Sequence, residues 1–152
     1  MKKFLKGFIY AGRGVWLCLG ERNFRFHLCA AAFVTFFAAK FYELSRGEWA
    51  ALLLTFAAVF SLEAVNTALE RLCDRVSPEK NTLVGECKDI AAGAVLIAAV
   101  FAVGVGIALF ADAERLSAAF SYFLGAWYRI VLLLLAFGAA GCFVLLPERK
   151  KK

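Results

Sequence analysis

Proline is scarce in this chain, histidine is almost missing, and several familiar motifs are absent. Two prolines, Pro78 and Pro147, stand in 152 residues, and no low-complexity linker divides them. A string of tethered modules is thereby excluded, and one compact body is expected. No internal repeat is strong enough to indicate a solenoid. The five cysteines (18, 29, 73, 87 and 142) form no CxxC and no zinc-like spacing. Four of them sit in or near apolar stretches, where cysteine behaves as a small hydrophobe. The single histidine, His27, lacks the companions that metal-binding histidines keep, so it reads as an interfacial hydrogen-bonding residue. There is no GxxxxGK[ST], and Gly12-Arg13-Gly14 has Leu17 where GxGxxG requires glycine. The soluble nucleotide folds that use those loops are removed.

What is present is oil. The chain is 62% hydrophobic, with a mean hydropathy of +0.73, too apolar for an ordinary soluble domain of this length. The expectation is an all-α membrane protein. Its first twenty residues do not read as a signal peptide, because Arg13 interrupts the apolar stretch and no small-residue cleavage site follows. Phe4, Leu5, Phe8, Ile9, Val15, Trp16 and Leu19 recur at three- and four-residue steps, with Lys2, Lys3, Lys6 and Arg13 between them. That pattern suits an amphipathic helix over 1–20 lying in the headgroup layer. Four apolar segments follow, at 28–44, 49–72, 90–111 and 126–146. A hydrocarbon core takes about 20 helical residues to cross, so each is a candidate span.

Charge orients them. With the N-terminus inside, fourteen of the 18 Lys and Arg residues fall on the cytoplasmic side. Lys40, Arg46, Arg115 and Arg129 are left outside. The bias predicts a membrane protein with both termini and the 71–89 loop in the cytoplasm. A net charge of +6 clustered near segment ends points to the lipid surface rather than to nucleic acid.

At that cytoplasmic boundary lies the stretch SLEAVNTALERLCD, residues 61–74. At about 100° per residue, Glu63, Asn66, Glu70 and Asp74 share one helical stripe roughly 80° wide. Should the helix leave the hydrocarbon near Arg71, Glu63 lies roughly 12 Å deeper. A carboxylate at that depth is costly, so it is functional or it is a neutral group holding helices together. Two further polar clusters flank the other spans. GERNFRFH carries Glu21, Arg22, Asn23, Arg25 and His27; ECKDIAAG carries Glu86, Lys88 and Asp89. Carboxylates beside Asn and Lys suit Mg²⁺ with a polyphosphate, since Mg²⁺ takes oxygen ligands and shares them with phosphates. Phosphoryl transfer asks chiefly for positioning and charge neutralisation.

Glu63-x-x-Asn66-Thr67-Ala68-Leu69-Glu70-x-x-x-Asp74 with Lys88-Asp89-Ile90-Ala91-Ala92-Gly93-Ala94, and ERNFRFH as a third element, resembles one family's signature. That family is the prokaryotic diacylglycerol kinases and undecaprenol kinases, and the resemblance covers roughly residues 4 to 110. It implies an ATP- and Mg²⁺-dependent kinase for a membrane lipid alcohol, built as a homotrimer with sites shared between chains. It further implies that Glu21 and Glu70 hold the ATP-bound Mg²⁺ and that Glu63 is the general base. Asn66 and Lys88 would position phosphates, Asp74 and Asp89 would organise the nucleotide site, and Arg25 would join Glu63 on the lipid. ERNFRFH is more similar to the undecaprenol branch. Two departures stand out: Lys80-Asn81 replaces a Tyr-His pair common in relatives, and a fourth span with a basic tail exceeds the three-span plan. Residues 1–111 are therefore expected to form the kinase domain and 112–152 an extension.

Two rival readings are a four-span proton-coupled exporter built around Glu63 and a non-catalytic assembly protein packing on Ala91, Ala92 and Gly93. Transport wants its charges near the midplane, whereas this stripe lies at the water boundary. The assembly reading leaves the charged constellation without a task.

Overall fold

The computed structural model describes residues 2–77 and 81–148; Lys80 and the basic tail 149–152 lie outside the described residues. Among the described residues there are six helices and no strand. They are α1 (Lys2–Cys18), α2 (Arg22–Phe41), α3 (Arg46–Val76), α4 (Thr82–Phe110), α5 (Ala113–Leu124) and α6 (Trp127–Leu145). Four of them, α2, α3, α4 and α6, are long and apolar enough to cross a membrane. The chain is an all-α, multi-pass protein as expected.

The helix bounds depart from the apolar segments, because the edge of the hydrocarbon is not the edge of a helix. α3 overruns 49–72 at both ends, whereas α6 falls one residue short of 126–146 at each. α2 begins at Arg22, not 28, so ERNFRFH is helical and Glu21 is its extended N-cap residue. It also stops earlier than 44. Tyr42 turns extended, and its hydroxyl donates to the Phe110 carbonyl at 2.7 Å, fastening the end of α2 to the end of α4. α3 then starts from a capping box, with the Ser45 side chain accepting from Glu48 N–H and Glu48 accepting from Ser45 N–H. Its 31 residues make a rod of roughly 46 Å at 1.5 Å per residue. Asn81, half of the Lys80-Asn81 departure, caps α4 by accepting from Leu83 N–H.

α5 is an element the apolar segments did not foreshadow. Asp112 caps it by accepting from Arg115 N–H, and Ala119 is buried on its inner face. Tyr122 and Phe123 bring their rings against Phe41 of α2, at 5.5 and 5.7 Å between centroids. A tight corner at Gly125 leads into α6, where an added Cβ would meet the Ser121 carbonyl at 3.1 Å. Arg129 closes the corner by lying 4.0 Å over the Tyr122 ring and donating to the Tyr122 carbonyl at 2.8 Å.

Packing runs through small residues. The α3–α4 hairpin is the most extensive contact, and α2 lies between α3 and α6. Ala31 and Ala38 of α2, Leu52 and Val59 of α3, and Ala91 and Val95 of α4 form the thin interior. Short side chains let helix backbones approach closely, which is how helices associate in lipid. Phe24 against Phe60 (5.4 Å) and Phe33 against Phe137 (5.2 Å) tie α2 to its two neighbours. Most large apolar side chains point outward, including the stripe Phe4, Leu5, Phe8, Ile9 and Trp16 on α1. Such a surface is at ease facing lipid.

Candidate active site

The stripe on α3 faces inward at its deep end and opens toward water at the other. Glu63 is 2% exposed, Asn66 and Thr67 are buried, Glu70 is half-buried and Asp74 is exposed. Glu63 has the Asn23 side chain as hydrogen-bonding neighbour, and the charges nearest to it are the carboxylates of Glu70 and Glu21. Asn66 Nδ2 donates to Glu70 Oε1 at 3.2 Å, while Asn66 Oδ1 is buried without a protein partner. Glu21, Asn23, Glu63, Asn66 and Glu70 therefore gather in one chain where α1, α2 and α3 meet.

Arg71 holds this corner. Its Nη2 donates to Glu21 Oε1 at 2.7 Å and, more weakly, to the Leu17 carbonyl at 3.4 Å. Sequence reading passed over Arg71 because its partner lies 50 positions away. The neighbouring Cys18 thiol is buried; desolvation pushes its pKa up against the pull of Arg71. It is the small hydrophobe that composition suggested.

Lys88 and Asp74 form a second cluster, an ion pair between α4 and the end of α3. Asp89 is exposed on the next position of α4 and joins no ion pair among the described residues. Arg25 goes elsewhere. It is 3% exposed, donates from Nη2 to the Leu146 carbonyl at 2.6 Å and lies 5.8 Å over the Phe143 ring. Its guanidinium thus faces the end of α6.

Two apolar grooves flank the stripe. One of about 390 Å³ runs between α3 and α4 beside Asn66, Glu86 and Ile90. The other, about 530 Å³, lies under α1 beside Phe24, Phe60, Thr67 and Arg71.

Among the described residues, no three acidic, His or Cys side chains come together as a cage for a metal ion. Mg²⁺ held by one or two carboxylates and by substrate phosphates requires no such cage. Glu70, Glu21 and the unpartnered Asn66 Oδ1 form a hard, all-oxygen donor set that fits this kind of shared ion.

Four membrane-length helices with a carboxylate and amide stripe at one end define a multi-pass helical membrane protein carrying a polar site. The sequence profile of prokaryotic diacylglycerol kinase matches residues 9–110. The chain belongs to that family, a family of lipid kinases. It is 40% identical over 111 residues to the undecaprenol kinase of Bacillus subtilis strain 168, covering 72% of this chain and 89% of that protein. It is 43% identical over 105 residues to a diacylglycerol kinase of Synechocystis sp., covering 67% of this chain and 59% of the relative. A Sinorhizobium diacylglycerol kinase is 34% identical over 91 residues, covering 57% of this chain and 63% of the relative. No solved structure matches. The exporter and assembly readings give way to a lipid kinase, and α5 and α6 lie beyond the matched residues.

Proposed function

We propose that the protein transfers the γ-phosphoryl group of ATP to the primary hydroxyl of a membrane lipid alcohol, with Glu63 as the general base. Burial of Glu63 at the inner end of the stripe carries this reading. ATP arrives from water and the lipid hydroxyl from the hydrocarbon. The base belongs on the lipid side, and Glu63 lies two turns, roughly 10 Å, inward from Glu70. Glu63 takes the hydroxyl proton as the oxygen attacks the γ-phosphorus, and ADP leaves.

The remaining residues bind and neutralise. Glu21 and Glu70 would hold Mg²⁺, which supplies charge neutralisation on the β- and γ-phosphates when bound. Asn66 orients Glu70 and offers Oδ1, while Lys88, held by Asp74, meets the phosphates, with Asp89 beside it. The apolar grooves on either side of the stripe suit the body of the lipid. Residues 1–111 form the kinase domain of a homotrimer in the cytoplasmic membrane, with both termini in the cytoplasm.

Undecaprenol is the substrate we favour over diacylglycerol. The undecaprenol kinase is matched over nearly its whole length, the two diacylglycerol kinases over about three fifths of theirs. The test presents both lipids side by side in micelles with γ-labelled ATP. Label should enter undecaprenol with the higher kcat/KM. Label in neither lipid would overturn the kinase mechanism, and faster labelling of diacylglycerol would overturn the substrate.

A further inference from the structure

Arg25 is a buried cation whose partner is not an acid. No carboxylate among the described residues makes an ion pair with it, and its Nε is buried without a hydrogen-bond partner. Burying a charge alone is costly, so something must stand in for the anion. The C-terminus of α6 does. The last turn of a helix leaves carbonyls unsatisfied and carries partial negative charge. Leu146, the C-cap residue of α6, offers its carbonyl 2.6 Å from Arg25 Nη2, and Phe143 one turn earlier lies under the guanidinium. A charge inside the family-matched residues 9–110 is therefore partly compensated by a helix that lies outside them.

Arg25 also closes the first turn of α2, its N–H donating to the Glu21 carbonyl at 3.2 Å. Glu21 in turn donates from its N–H to the Cys18 carbonyl at 2.9 Å, and its carboxylate is held by Arg71. The joint that carries Glu21 is thus fixed on α1 and α3 directly and on α6 through Arg25. We propose that Arg25 is a positioning residue through which the C-terminal helix α6 braces the first turn of α2 and sets the Glu21 carboxylate for the kinase reaction. The inference rests on the reading of Glu21 as a ligand of the nucleotide-bound Mg²⁺.

The experiment uses the full chain in detergent micelles and records kcat at saturating ATP separately from the Mg²⁺ concentration that gives half the maximal rate. Arg25→Met keeps the length of the side chain and removes its charge and donors. Loss of one charge-assisted hydrogen bond should raise the Mg²⁺ requirement about tenfold, with a smaller effect on kcat. Arg25→Lys keeps a charge and a donor for the Leu146 carbonyl and should hold the requirement within about threefold, rescuing most of the loss. Phe143→Leu should shift the requirement in the same direction, and adding it to Arg25→Met should shift it no further, since both act through one contact. Phe143→Leu keeps the hydrogen bond and the test usable should Arg25→Met fail to accumulate. Hydrogen exchange should quicken at Glu21–Arg25 and at the end of α6 in both variants. A Mg²⁺ curve that stays in place for Arg25→Met and Phe143→Leu, while Glu21→Gln moves it, overturns the inference. Full additivity of the two changes overturns it as well. An unmoved curve for Glu21→Gln is the distinct signature of a failed metal reading.

Discussion

The proposed role of Glu63 as a base needs water kept away and a lipid hydroxyl admitted, and its burial at 2% exposure meets the first condition. Gln at this position keeps the shape and the hydrogen bonding with Asn23 but cannot take up a proton. Glu63→Gln is expected to lower kcat by about 10²- to 10⁴-fold, the usual worth of general-base catalysis, and to leave Mg·ATP binding nearly unchanged. Collapse of ATP affinity with fast single-turnover chemistry would make Glu63 a nucleotide or structural residue. At the opposite membrane face, Tyr42 offers a pH test. Burial, with Asp112 adding to it and Arg115 opposing, raises its phenol above the ordinary value. A raised native pKa means that the folded state holds the proton more tightly. Stability from this group is complete below the unfolded pKa of about 10 and is lost as pH rises above it. Thermal unfolding followed from pH 8 to 11 should show a steeper alkaline decline for the parent than for Tyr42→Phe; equal declines would remove Tyr42 as the cause.

Helix boundaries show which features local sequence can announce. Ser45-x-x-Glu48 spells a capping box, and it starts α3 in the structure. Ser45→Ala should cost about 1 kcal/mol in reversible unfolding in detergent, the common worth of an N-cap, with a far smaller change in kcat. The stripe from Glu63 to Asp74 was equally legible, because a 3.6-residue period reports a shared face without any tertiary information. The end of α2 was not legible, since it depends on a carbonyl at Phe110, 68 positions from Tyr42. Nor was the pairing of Arg71 with Glu21 or of Arg25 with Leu146, at separations of 50 and 121. α5 did leave a trace. Asp112 is an N-cap residue, and Leu116, Ala119, Phe120 and Phe123 follow at helical spacing, but the stretch is too short to stand out as a membrane span.

Among the described residues, the polar and charged side chains of the proposed site fall into two groups. Glu21, Glu63, Asn66 and Glu70 gather at the deep end of the stripe, while Lys88 of α4 pairs with Asp74 at its outer end. In the proposed trimer, complementation should follow that division. Mixing Glu21→Gln chains with Lys88→Met chains should restore part of the activity, because a site can draw one intact cluster from each subunit. Mixing Glu21→Gln with Glu70→Gln should restore none, because one chain supplies both carboxylates. The reverse pattern in verified mixed oligomers would redraw the shared site. The length of α3 adds a consequence of another kind. A rod of roughly 46 Å exceeds a hydrocarbon core of about 30 Å by some three turns, and those turns carry the chemistry at one end and the Ser45 cap at the other. Lengthening the acyl chains of the host bilayer would draw Asn66 and Glu70 toward oil, and the helix would answer by tilting. Turnover in vesicles should then fall as the lipids grow longer, so that the thickness of the membrane itself acts as a throttle on the enzyme.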